Sequence, residues 1–346
     1  MKKRVCLSFI IVVIILTGCL SSSAEEMKNN PHRETEILMG TVVTLRIYDN
    51  DKEYVMEEAF ERIRVLEDVM SVNVEGSEID RINQAAGIEP VEVSDKVFKL
   101  IQDGVYYGAD TDGIFDITIG PLTSLWQIGS DEARKPSQDE LDEVLPLIDY
   151  EKIVLDEENQ TVFLQEAGMR LDTGGIAKGY IADLLVDLFM EKEVESAIID
   201  LGGDIYVIGE NPSGREFTIG IQDPLTTRGQ SLGNIQVKDK SIVTSGIYER
   251  FIEVDGVEYH HILDPYTGYP IMNELAGVTI ISENTIDGDA LSTAVFAKGL
   301  LDGLEYVEEL EGVDAIFVTR DNEVYISSGI TGQFELTNDA FNIIGN

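Results

Sequence analysis

Both cysteines of this 346-residue chain, Cys6 and Cys19, fall close to its N-terminus. Whatever folds beyond them has no disulfide to hold it, no thiol nucleophile and no thiolate metal site. Its stability must come from a large apolar core, and hydrophobic residues make up 43% of the chain, enough to build one. No Pro- or Ser-rich linker interrupts residues 34–346 and nothing in them repeats, so they read as one large domain.

The N-terminus itself sets the expected compartment. Lys2, Lys3 and Arg4 precede an apolar run, Val5 to Leu16, that is too short to span a bilayer comfortably and has the form of a secretory signal. The run ends in LTGC, Leu16 to Cys19, a small-residue processing site that would leave Cys19 first in the mature chain to carry a diacylglyceryl anchor. The plainer alternative is an ordinary exported protein with a chance cysteine. Residues 1–18 are thus expected to be a lipoprotein signal peptide and 19–33, Ser-rich and charged, a flexible tether. The folded part, 34–346, would lie outside the cytoplasm, lipid-anchored to a bacterial membrane on the outer face of the cell membrane or in a periplasm.

The 65 acidic residues outnumber 25 basic ones, a formal charge of −40, which argues against any nucleic-acid partner. The same charge repels an anionic small molecule such as a dinucleotide. One that binds here needs a metal ion or a local set of donors to screen it.

Short, turn-bounded runs rich in β-branched residues predict strands at Thr41 to Tyr48, Ile153 to Phe163, Ala197 to Val207, Glu216 to Gln222, Ile235 to Val237, Ser241 to Ser245, Arg250 to Val254, Gly277 to Ile281, Ala315 to Thr319 and Glu323 to Ser327. Helical periodicity is strongest from Glu53 to Met70, where Val55, Met56, Ala59, Ile63, Leu66 and Met70 share one face. Further helices are expected at Asp95 to Thr111, Asp139 to Val144, Ala177 to Lys192, Asp287 to Leu300 and Leu301 to Leu310. Many strands follow one another in hairpin order after residue 197, which favours an α+β domain with a mixed, mostly antiparallel sheet and packed helices.

Three histidines, one of them (His32) in the presumed tether, leave little room for zinc chemistry, so any metal should be a hard ion held by oxygen. In DGDALSTAVFAKG, Asp287 to Gly299, Asp289 and Thr293 stand one helical turn apart and offer a carboxylate and a hydroxyl to such an ion; equally, Asp287 or Asp289 caps the helix. In YHHILDPYTGYP, Tyr259 to Pro270, adjacent histidines on extended chain point to opposite faces, so at most one serves a site. A histidine beside Asp264 suits a general base or a phosphate contact, and two idle strand histidines suit the pattern as well. Asp116 is the one acid in GIFDITIGPL, Gly113 to Leu122, and either binds backbone or recognises a ligand. LDTGGIAKGY, Leu171 to Tyr180, has the glycines and lysine of a phosphate loop but not its GxxxxGK[ST] spacing. No GxSxG elbow is present.

Taken in order, MGT (Met39 to Thr41), FDITIGPL, LDTGGIAKGY, IDLGGDIYV (Ile199 to Val207), IGIQDP (Ile219 to Pro224), TSGIYERF (Thr244 to Phe251), HHILDPYTGYP and DALSTAVF (Asp289 to Phe296) resemble the ApbE family of flavin transferases. The resemblance implies an ApbE-like fold and an enzyme that splits FAD at its pyrophosphate with magnesium. It would transfer FMN through a phosphoester to a threonine hydroxyl of an acceptor flavoprotein, a membrane redox subunit or an extracytoplasmic reductase, and release AMP. Carried over by position, it implies FAD contacts from Met39, Ile114, Phe115, Asp116, Asp172, Lys178 and Ile262. Magnesium would be held by the Gly175 carbonyl, Asp289 and Thr293, and His261 would be the base, with Asp264 to orient it. Asn73 stands where the family usually has an aromatic, so another aromatic ring must stack on the FAD. Two alternatives share these residues: a magnesium-dependent FAD pyrophosphatase giving FMN and AMP, and a lipoprotein that binds FAD without turnover.

Overall fold

The computed structural model describes residues 30–226 and 229–345. The expected signal peptide, Cys19 and the tether as far as residue 29 lie outside the described residues. A nine-stranded sheet dominates the domain, and its spatial order follows the chain: β1 (His32–Leu38), β2 (Thr41–Ile47), β3 (Ser196–Leu201), β4 (Asp204–Gly209), β5 (Lys240–Gly246), β6 (Leu275–Ser282), β7 (Asp314–Thr319), β8 (Glu323–Ile326) and β9 (Asn342–Ile343). Every neighbouring pair is antiparallel except β8 with β9. This is the α+β architecture the order of elements predicts.

Alternation along the strands splits the core in two. Val43, Leu45 and Ile47 of β2, and Ala197, Ile199 and Leu201 of β3, face a layer of helices. Ile198 and Val207 face a second, three-stranded sheet formed by Phe217–Gln222, Ser231–Val237 and Phe334–Leu336. β6, sandwiched between the layers, is buried along its whole length and is accordingly apolar but for Thr279 and its last residue, Ser282, whose hydroxyls are hydrogen-bonded. The helix layer contains α1 (Tyr54–Met70), α2 (Asp95–Asp110), α4 (Ala177–Glu191), α5 (Thr285–Lys298) and α6 (Leu300–Glu309), while α3 (Gly120–Trp126) packs in a small separate cluster in which Leu122 and Trp126 meet Leu141 and Leu263. α4 and α5 pack against each other, and α5 lies on β5 and β6.

Several expectations shift in detail. His32 and Arg33, assigned to the tether, open β1, and His32 Nε2 sits 2.8 Å from Glu34 Oε1. The run expected as one strand at 153–163 is a hairpin, Ile153–Asp156 with Thr161–Leu164, because Asp156 accepts from Asn159 and Gln160 takes a left-handed φ of 50°. α3 was hidden inside an apolar stretch; its Gly-Pro start places proline where its missing N–H costs nothing. Gly299, at φ 80°, separates α5 from α6.

Candidate active site

The stretch LDTGGIAKGY forms the entry to α4. Asn83 clamps its first residue, accepting from Leu171 N–H at 2.7 Å and donating to Leu171 O at 3.1 Å. The Asp172 carboxylate then accepts from Gly174 N–H (2.8 Å) and from the Thr123 hydroxyl (2.7 Å), and Thr173 donates to Met70 O. Two residues into the helix, a Cβ on Gly179 would come within 2.6 Å of Thr285 O and 2.8 Å of Asp289 Cβ. Only glycine lets α5 approach this closely.

That approach makes the two helices cap one another. Asp183 of α4 accepts from Thr285 N–H (2.6 Å) and Ile286 N–H (3.0 Å) at the start of α5, while Asp289 of α5 accepts from Gly179 N–H (3.0 Å) in the first turn of α4. The expected choice between cap and ligand for Asp289 therefore dissolves: it caps the neighbouring helix, and its other oxygen faces the site. Asp287 is engaged elsewhere, accepting from Tyr107 Oη and Asn284 Nδ2.

Lys178 Nζ donates to Asp204 Oδ2 at 2.6 Å and to Asp289 Oδ1 at 3.0 Å. Both carboxylates are 7% exposed and the lysine 27%. Burial alone would push the ammonium down, but the two carboxylates outweigh it and hold it raised and charged. Asp204 reaches this point from the Gly202-Gly203 turn of the β3–β4 hairpin, where both glycines have positive φ. A Cβ on Gly202 would collide with Thr41, which follows the similar Met39-Gly40 turn between β1 and β2.

The adjacent histidines point opposite ways. His260 is buried against Phe296, with Nε2 2.7 Å from Ile271 O and Nδ1 accepting from Ile262 N–H at 3.3 Å, so it is neutral and fully used. His261 faces a cavity. Its Nδ1 lies 3.4 Å from Arg250 O, which can only accept, so Nδ1 carries the proton and Nε2 keeps its lone pair. Protein encloses most of the ring while one edge opens on the cavity; this burial, and secondly the positive charge of Arg250, push the imidazole down to about 4 and keep it neutral at neutral pH.

The cavity has a volume of about 280 Å³ and lies where α3, the start of α4, β5, α5 and the segment around His261 converge. Phe115, Ile119, Trp126, Ile262 and Leu263 give it an apolar wall; Asp172, Gly175, Lys178, Asp204, Asp289 and Thr293 give it a polar one. A model of the ApbE family matches residues 39–317. The chain belongs to that family.

Among ApbE relatives, the chain is 39% identical to the FAD:protein FMN transferase of Klebsiella pneumoniae (strain 342) over 91% of its own length and 98% of that protein. It is 34% identical to the FAD:protein FMN transferase of Treponema pallidum (strain Nichols), over 96% of each. The crystal structure of the ApbE protein from Thermotoga maritima superposes with a TM-score of 0.81 at 32% identity, covering 88% of this chain and 99% of that one. The flavin transferase ApbE from Vibrio cholerae gives 0.77 at 27% identity over 87% and 99%.

Set in this ApbE fold, Ile114, Phe115, Asp116, Asp172, Gly175, Lys178, His261, Ile262, Asp289 and Thr293 all line the one cavity. Two expected residues do not join them. Met39 sits at the β1–β2 turn with φ 52°, its N–H given to Glu67, outside the cavity wall. Asp264 organises its own turn, accepting from Tyr266 N–H and the Thr267 hydroxyl; His261 is oriented by the Arg250 carbonyl instead. Asp116 lines the cavity but its carboxylate is committed to Thr118 and to Tyr150 N–H. Asn73 is exposed; Phe115 is the aromatic side chain on the cavity, and Trp126 borders it but is fully buried against Tyr259 and Tyr269. Asp204 was missed, although IDLGGDIYV signalled a glycine hairpin turn followed by an acid.

No three His, Cys, Asp or Glu side chains cluster as a metal site among the described residues. A cation here would have to use a mixed oxygen set, and Asp289, the Thr293 hydroxyl and the Gly175 carbonyl supply one. Charge also fits: one ammonium is shared between two buried carboxylates and cannot neutralise both once both are ionised, and burial together with the neighbouring Asp289 raises the Asp204 carboxyl to about 7 against the pull of Lys178. A hard divalent ion suits such donors.

Proposed function

We propose that this chain is an FAD:protein FMN transferase that acts outside the cytoplasm, tethered through a lipid on Cys19. It uses magnesium, joins FMN to a threonine hydroxyl of an acceptor flavoprotein and releases AMP. Its family membership and the names of relatives that align along almost the whole chain support the transferase activity. The observation that carries the reading is one cavity that brings Asp289, Thr293 and Gly175 together with a neutral histidine whose Nε2 keeps its lone pair.

In this reading the apolar wall takes a ring of FAD, and the polar wall takes its pyrophosphate. Asp289, Thr293 and Gly175 would hold magnesium, which when bound supplies charge neutralisation at the phosphate oxygens. Phe115 borders the ring, and Lys178 adds a fixed positive charge beside the phosphates. His261 Nε2 takes the proton of the threonine hydroxyl as its oxygen bonds to the FMN phosphorus. The bond from that phosphorus to the bridging oxygen breaks, and the oxygen departs with AMP.

The test follows all three products. Incubated with FAD and an acceptor carrying a target threonine, the enzyme should add one FMN mass to the acceptor with matching AMP, and only with magnesium. Free FMN and AMP beside an unlabelled acceptor would make the chain a pyrophosphatase, and unchanged FAD that co-purifies would make it a binding protein. Asp289→Asn, which keeps an oxygen for Gly179 N–H, should lower magnesium-dependent turnover by about 100-fold or more while FAD still binds; full turnover in that variant would sink the metal assignment.

A further inference from the structure

Asp204 carries no role in the reading above, yet it makes the shortest contact in the polar wall, 2.6 Å to Lys178 Nζ. Its position is built with care. Gly202 and Gly203 turn the chain on positive φ, and Thr41 packs where a Cβ on Gly202 would stand. The turn therefore delivers Asp204 to one place as the first residue of β4, buried and 7% exposed.

A carboxylate placed only to anchor Lys178 would make a neutral pair. Here Lys178 already has Asp289 at 3.0 Å, so Asp204 is a second anion on one ammonium. Two consequences follow from Coulomb's law in a buried wall. The second carboxylate raises the attraction of the site for a cation, and it competes with Asp289 for the ammonium, at 2.6 Å against 3.0 Å. Both effects have the same sign.

We infer that Asp204 is a positioning residue for cation binding: by sharing the Lys178 ammonium with Asp289 and adding a second carboxylate to that wall, it sets the affinity of the Asp289, Thr293 and Gly175 site for a divalent metal. This rests on the magnesium site proposed above.

The experiment measures Mn²⁺ binding to the purified full-length chain without FAD, by the loss of the free-ion signal in electron paramagnetic resonance. At mildly alkaline pH, where the Asp204 carboxyl is ionised, Asp204→Asn should weaken binding by about tenfold, the loss of one nearby unit charge. Lys178→Met should tighten it, because Asp289 loses its competitor. The double variant should return to within about threefold of the parent, since the two charges removed cancel. An Asp204 that merely holds the fold predicts a double variant no better than Asp204→Asn alone, and that result would overturn the inference. So would a Lys178→Met variant that binds no tighter, a readout that survives if Asp204→Asn fails to fold. If the parent chain binds no Mn²⁺ with or without FAD, the magnesium reading itself falls, and this inference with it.

Discussion

His261 is the residue whose chemistry depends most on its surroundings. An ordinary imidazole would begin to protonate below about pH 6.5, whereas burial and Arg250 hold this one neutral to about 4. The acid limb that His261 contributes to transfer should therefore lie near that lower value, below the limb expected of an ordinary imidazole. His261→Ala should slow transfer by about 100-fold and remove the acid limb, with FAD binding retained; a variant that loses FAD instead would make His261 a binding residue. The downshift carries a stability sign as well. Between about 6.5 and about 4 the unfolded chain accepts a proton that the folded site refuses, so stability is lost as pH falls through that window, as acid titration of unfolding would register. At this scale the sequence was informative wherever one short motif contains its own geometry, as in the opposed histidine pair. It was silent on Asp204, because nothing in IDLGGDIYV reveals that Lys178, 26 residues earlier, lies across from it.

Among the elements, the mutual capping of α4 and α5 links the two halves of the polar wall. Burial raises the Asp183 carboxyl to about 6, against the pull of the two α5 N–H groups it accepts. Asp183→Ala should cost about 1–2 kcal/mol by loss of the cap, read by chemical denaturation, and should weaken cation binding because α5 carries both Asp289 and Thr293. A stability loss with unchanged cation affinity would show that α5 is held in place by packing alone. Strong periodicity made α1 and α4 legible almost to the residue. β1 was not, since HRETEIL is a half-buried edge strand of charged residues and looks like the tether before it. The pairing of α4 with α5 was equally hidden, for it depends on the absence of one side chain at Gly179.

Taken as a whole, the molecule is strongly acidic and binds an anion. At a formal charge of −40, long-range repulsion should slow the arrival of FAD at low ionic strength. Raising salt from about 10 to about 150 mM at fixed magnesium shortens the screening length to roughly 8 Å and should speed association a few-fold in stopped flow. Slower binding at higher salt would mean that local cations, Lys178 and Arg250 among them, dominate the approach. The class was readable because strands follow one another in hairpin order after residue 197, whereas the cavity is assembled from segments spread from Ile114 to Thr293. One of its walls has a practical consequence. Trp126 is the sole tryptophan in the chain, fully buried, its indole N–H given to Gly268 O at 2.8 Å, and it borders the cavity. The enzyme thus comes with a built-in optical probe: its indole emission arises from a single point in the reaction chamber, and the arrival or departure of a flavin can be watched in real time with no label attached.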